Sequence, residues 1–188
     1  MPSTPQETDP IVARLNPGIA LKYEDAILTS TTLLLINSLI FLVVGGCASK
    51  WFTTLYVGAL AGVCSVFTSG LILLLHKCHN QWRHTLYENL VHGVYPPSST
   101  ITSIIIQFLV TILWFISSLI TIAYHAGVHT GTLNSDGHPT GPLSSWAELA
   151  FAAVCALSST MLVIFQILQR RSVGNEIKKA LLGKAAIC

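Results

Sequence analysis

The stretch from Ile101 to Tyr124 reads ITSIIIQFLVTILWFISSLITIAY and carries no charged residue in its 24 positions. Three further uncharged apolar runs of 20 to 24 residues occur in the chain, at Ala26–Ala48, Phe52–Leu75 and Leu149–Leu168. An α-helix crosses the hydrocarbon core of a bilayer, about 30 Å thick, in about 20 residues. The sequence therefore predicts an all-α integral membrane protein, a multi-pass bundle of four transmembrane helices with spans at 26–48, 52–75, 101–124 and 149–168.

The basic residues lie almost entirely on one side of these four spans. When the N-terminus is placed on side one, nine of the ten Lys and Arg residues fall on that side, and Lys50 alone falls on the other. Short segments rich in Lys and Arg remain in the cytoplasm. We therefore predict that both termini are cytoplasmic.

The remainder of the chain is divided among short segments. We predict a partly disordered cytoplasmic segment at residues 1–25, the bundle at 26–168, and a basic amphipathic cytoplasmic tail at 169–188. The first run is longer than the 7–15 apolar residues of a signal peptide, so we interpret it as a span. Most soluble domains need about 100 residues, and no segment outside the spans is that long. Function must therefore lie in the bundle, in its connections or in what the bundle recruits.

The two longer connections differ in character. In the inner connection, residues 76–100, Trp82, Leu86 and Leu90 recur at helical spacing. This pattern predicts an amphipathic helix on the cytoplasmic leaflet; the alternative is that span two continues as a helix into the cytosol. The outer connection, residues 125–145, is rich in Gly and Pro and predicts an irregular loop.

Small and polar residues within the spans recur at helical spacing and form stripes. Because lipid supplies no hydrophobic drive between helices, helix interfaces in membranes use small residues and polar side chains that bond across. We predict a helix-packing seam made of Gly58, Gly62, Ser65, Ser69, Ser103, Gln107, Thr111, Ser118, Ala152 and Ser159. The alternative is a polar pathway for an ion or small solute, although such pathways usually contain an ionisable group deep in the membrane.

Glu148 is the acidic residue at the start of span four. We interpret it as part of a helix cap at the start of span four, with Ser144 or Ser145 supplying the N-cap oxygen.

Candidate sites for chemistry are sparse. His125 and His129 stand four residues apart and could bind Zn²⁺ or Cu²⁺ only if a third ligand joined them. We predict no metal site, no cofactor and no catalytic residue, since no motif for nucleophilic or paired-carboxylate chemistry is present. Cys78, at the inner end of span two beside Lys77, is a candidate for S-palmitoylation.

The C-terminal tail concentrates positive charge at the predicted cytoplasmic surface. Each basic residue near an anionic leaflet gains about 1 kcal/mol. We therefore predict that the tail faces anionic lipid through Arg170, Arg171, Lys178, Lys179 and Lys184. The net charge of +2 does not suggest nucleic acid, and other expected partners are membrane proteins or copies of this chain.

These features favour a non-enzymatic membrane protein that organises lipid or binds partner proteins. In span count and predicted orientation the chain resembles the four-span membrane organisers of the MARVEL type, in architecture only. One alternative is a small oligomeric transporter or channel with a polar seam along span three. Another is a membrane enzyme that uses an interfacial histidine cluster. Spans of this length fit the plasma membrane and endomembranes alike.

The orientation can be tested by cysteine labelling. In a background without the five native cysteines, an impermeant maleimide added to intact cells should modify Lys50→Cys and Ser135→Cys. It should modify Lys184→Cys only after permeabilisation, because the basic segments stay in the cytoplasm. The reverse labelling pattern would overturn the predicted orientation.

Overall fold

The computed structural model describes residues 22–49, 56–80, 95–129 and 142–185. Within these ranges four α-helices are present: α1 at Glu24–Val44, α2 at Val57–Asn80, α3 at Ile101–His129 and α4 at Pro142–Ala185. A π-helical turn, Gly45–Ser49, continues α1, and a 3₁₀ turn, Pro97–Ser99, precedes α3. All four helices are long and apolar enough to cross a membrane. This confirms the predicted all-α class with four candidate spans.

The helices extend beyond the predicted spans. Helix α2 continues past Leu75 to Asn80, and most of the predicted amphipathic helix lies outside the described residues. The prediction of an irregular loop over residues 125–145 was wrong at both ends, because α3 continues to His129 and α4 begins at Pro142. A single glycine, Gly127, lowers helix stability by only about 1 kcal/mol and does not end the helix.

The helices form an up-down-up-down bundle. Each packs against two neighbours in the ring order α1, α2, α3, α4. Two contacts show that α1 and α4 run in opposite directions. The Tyr23 backbone N–H, at the start of α1, bonds the Gln169 side chain late in α4. Ser38, later in α1, contacts Cys155, which is earlier in α4. The same relation holds between α1 and α2, where Glu24 lies 3.4 Å from His76. Residues 22–24 and the second half of α4 are therefore at the same end of the bundle.

The interior of the bundle is as polar as it is apolar. Among the described residues, fourteen polar or charged side chains are buried beside thirteen apolar ones. Large apolar side chains cover the outer surface instead; Phe67 and Leu119 are 70% and 64% exposed. A water-soluble protein rarely exposes so continuous an apolar surface. The distribution is that of a bundle surrounded by lipid.

Helix α4 is one uninterrupted helix of 44 residues. At 1.5 Å per residue it is about 66 Å long, roughly twice the thickness of the hydrocarbon core. The predicted boundary between bundle and tail at residue 169 falls within this helix. Val173, beyond that boundary, is still buried at 1% exposure.

Two glycines of α2 provide a matched test of the α1–α2 packing. A Cβ at Gly62 would lie 2.8 Å from Leu42 Cδ2, whereas one at Gly70 would meet nothing within 4 Å. Gly70→Ala should raise the stability of the folded bundle by about 0.5–1 kcal/mol through helix propensity. Gly62→Ala should gain less or lose stability, and Gly62→Ile should lose about 1–3 kcal/mol through overpacking. Unfolding by SDS titration in micelles measures both, and equal effects at the two positions would contradict the close α1–α2 approach.

Candidate functional site

A buried polar network joins α3 to α4 in the middle of the predicted seam. Gln107 Nε2 donates to Ser159 Oγ at 2.8 Å, and Ser159 Oγ lies 2.7 Å from Thr111 Oγ1. Thr111 donates its only hydroxyl hydrogen to the Gln107 carbonyl oxygen at 2.8 Å. Ser159 must therefore donate to Thr111 and accept from Gln107. The directions of these three hydrogen bonds keep Nε2 of the Gln107 amide towards α4.

The centre of the bundle is filled by an indole ring. Trp114 is fully buried and donates from Nε1 to Ser65 Oγ of α2 at 2.7 Å. Phe41 of α1 meets it edge to face, with ring centroids 5.0 Å apart. On the α4 side, Ser38 Oγ lies 3.9 Å from Cys155 Sγ. Polar and aromatic contacts thus link all four helices at this level.

The structure brings most of the predicted seam residues into the interior. Eight of the ten are buried: Gly58, Gly62, Ser65, Ser69, Gln107, Thr111, Ala152 and Ser159. Ser103 is half-buried and accepts a long bond of 3.5 Å from Gln166 Nε2. Ser118 is half-buried and bonds within its own helix, to the Trp114 carbonyl. Its neighbour Ser117 is fully buried, a position that the predicted stripe did not include.

A cavity of about 350 Å³ lies between α2 and α3, beside the seam. Its apolar wall includes Phe67, Leu71, Leu75 and Ile106, and Gln107 also lines it. Gln107 is 1% exposed, and among the described residues no donor reaches its Oε1. The sequence indicated Gln107 as a packing residue and gave no signal of the cavity, which depends on how far α2 and α3 stand apart.

Arg170 is held at the end of the bundle that carries Tyr23 and Gln169, called here the basic end. Its guanidinium lies 4.1 Å from the centroid of the Tyr95 ring, and Nη1 donates to the Ser99 carbonyl at 3.1 Å. The Tyr23 backbone N–H donates to Gln169 Oε1 at 3.0 Å. These contacts fasten α4 to the segment before α3 and to the start of α1.

The other basic residues predicted to face lipid lie farther along α4. Arg171 and Lys178 are exposed. Lys179 is exposed and pairs with Glu176 at 3.0 Å, while the side chain of Lys184 is outside the described part of the chain. Cys78, the palmitoylation candidate, is exposed near the end of α2.

The histidine and glutamate candidates lie near the opposite end. His125 stacks on Trp146, with ring centroids 4.7 Å apart; the side chain of His129 lies outside the description. Within the described ranges, no three His, Cys, Asp or Glu side chains come together as a metal site would require. Glu148 is buried at 1% exposure. The capping prediction was wrong, because α4 begins at Pro142 and places Ser144 and Ser145 inside the helix.

Comparison with known proteins assigns no family to the chain: no family model, no curated protein and no solved structure matches it.

The seam network should be energetically important. Ser159→Ala removes the acceptor of Gln107 and the donor to Thr111, and it leaves buried polar groups without partners. We expect a loss of about 1–2 kcal/mol in the free energy of unfolding in micelles. Ser158→Ala, at the neighbouring half-buried position, should change it by less than about 0.5 kcal/mol. Equal effects of the two substitutions would contradict a stabilising network.

Proposed function

We propose that this protein is a non-enzymatic, multi-pass membrane protein that organises anionic lipid around a basic helical arm. The arm is the part of α4 beyond Gln169. The observation that carries the proposal is the continuity of α4, which extends the last span into a basic helix fastened to the bundle at Arg170. The alternative is that the same arm binds other proteins, either membrane proteins or protein partners, and not lipid.

The geometry of the arm supports lipid contact. From Gln169 to Ala185 the helix rises about 24 Å, and Arg170 fastens its base through Tyr95 and Ser99. Arg171 and Lys178 are exposed beyond that anchor. Because the base is held, the charges are presented in a defined position instead of on a loose tail. Basic side chains close to an anionic leaflet gain about 1 kcal/mol each.

The packing of the seam supports an organising role over transport. The polar atoms of Ser159 and Thr111 are committed to bonds within the bundle, and Trp114 fills the centre. A solute path along this seam would have to break those bonds. If the protein were the oligomeric transporter or channel considered above, its solute path would therefore have to lie between copies of the chain.

The proposal includes an orientation, with both termini and the arm in the cytoplasm, where the anionic leaflet lies. Acylation of Cys78 would act in the same place. That cysteine is exposed near the end of α2, and α2 runs towards the basic end. A palmitoyl chain there would add membrane affinity close to the arm.

Lipid enrichment around the arm tests the proposal. The full-length protein, labelled at its C-terminus, would be reconstituted into phosphatidylcholine vesicles with a minor fraction of fluorescent phosphatidylserine. Energy transfer should report enrichment of the anionic lipid around the arm. Arg171→Gln/Lys178→Gln should lower that enrichment several-fold, and added salt should lower it in the unmodified protein, because exposed charges are screened.

Lys22→Gln/Lys77→Gln is the matched control. It removes the same charge from two exposed residues outside α4, on the predicted cytoplasmic side. It should leave enrichment at the C-terminus largely unchanged. Equal losses in the two double variants would show that net charge, and not the arm, attracts the lipid. If the unmodified protein shows no enrichment, the lipid proposal is wrong, and proximity labelling from the C-terminus would then search for protein partners.

A further inference from the structure

We propose that the cavity between α2 and α3 is an intramembrane binding site for a neutral lipid that carries a free hydroxyl group. The site is on a different surface from the basic arm, and the proposal does not depend on the function assigned to that arm. It rests on the position of the cavity, on the Gln107 acceptor that has no donor among the described residues, and on the uncharged character of the described lining residues.

The cavity faces the hydrocarbon region. Its apolar lining residues Phe67, Leu71 and Ile106 are themselves 70%, 45% and 44% exposed on the outer surface of the bundle. The α2–α3 pair also makes the least extensive contact of the four neighbouring helix pairs. A molecule dissolved in the bilayer could therefore enter sideways between the two helices. The volume of about 350 Å³ is within the range of small-molecule sites.

Gln107, one of the residues that line the cavity, carries a buried hydrogen-bond acceptor in need of a donor. Ser159 holds the Gln107 amide by its nitrogen, since the Ser159 hydrogen is already committed to Thr111. The amide cannot turn over without losing that bond. Oε1 is consequently left without a donor among the described residues. A buried carbonyl oxygen in this condition is costly, and a ligand hydroxyl would satisfy it.

Charge and depth select the class of lipid. Among the described residues that line the cavity none is charged; their polar members are hydroxyls and the Gln107 amide. Gln107 lies six residues into α3, about 9 Å along the axis from Ile101. An ionised headgroup would pay a large desolvation penalty at that depth. A single hydroxyl on an apolar body, as in a sterol or a diacylglycerol, is compatible with both features.

Photolabelling of the full-length protein in phosphatidylcholine vesicles tests the proposal. Three photoreactive probes would be compared: a sterol, a diacylglycerol and a phosphatidylcholine, each with its diazirine on the apolar part. Peptide mapping should place saturable labelling by the sterol or the diacylglycerol on α2 and α3 near the cavity. The probe that labels more strongly identifies which lipid supplies the hydroxyl group. The matching unlabelled hydroxyl lipid should compete several-fold better than its methyl ether, which lacks the donor.

Two substitutions in α2 provide the structural control. Leu71→Trp fills the cavity from its wall, whereas Leu74→Trp adds the same side chain at an exposed position that does not line it. Leu71→Trp should reduce labelling several-fold, and Leu74→Trp should leave it unchanged. Because neither substitution touches the seam, both variants should fold. The midpoint of unfolding in an SDS titration checks this.

Three results would overturn the proposal. One is equal competition by the hydroxyl lipid and its methyl ether, because the acceptor would then have no role. Another is labelling by phosphatidylcholine as strong as by the hydroxyl lipids, which indicates ordinary acyl-chain contact. The third is labelling that is absent, or that is spread over the outer faces of all four helices and is unchanged by Leu71→Trp.

Discussion

The bilayer does not reward the contact of one apolar helix with another, because lipid tails are as apolar as leucine. The bundle must therefore be held by close packing and by bonds between polar side chains. In this protein those bonds converge on α3. Trp114 bonds Ser65 of α2, and Gln107 bonds Ser159 of α4. These two bonds place α3 between its neighbours.

The hydrogen-bond network has a consequence for the opposite side of α3. Thr111 and Ser159 use their hydroxyl hydrogens in a fixed order, so the Gln107 amide nitrogen must point to α4. The amide oxygen is then left without a donor among the described residues, on a side chain that lines the α2–α3 cavity. A single side-chain orientation thus supplies the α3–α4 bond and leaves one acceptor unused among the described residues. Stability of the bundle and capacity for a ligand are therefore compatible at this position.

The basic residues that the sequence groups together have different tasks in the structure. Arg170 is occupied by the Tyr95 ring and the Ser99 carbonyl. Arg171 and Lys178, farther along the same helix, are exposed. One arginine therefore fastens α4 where it leaves the bundle, and Arg171 and Lys178 remain exposed beyond that contact. A count of charge by segment cannot distinguish these roles, because they depend on residues 75 and 71 positions apart in the chain.

The sequence by itself determined the all-α class, the number of candidate spans and the inward position of eight of the ten predicted seam residues. The reason is that an uncharged run of about 20 residues and a stripe of small and polar residues are local patterns with a direct meaning in lipid. It did not indicate where the helices end; residues 125–129 and 142–145 were expected in the outer loop and belong to α3 and α4. The tertiary structure alone decided that the Gln107 oxygen finds no donor among the described residues, that α2 and α3 leave a cavity, and that Tyr95 contacts Arg170. Each of these depends on the distance and rotation between helices remote in sequence, which no local pattern contains.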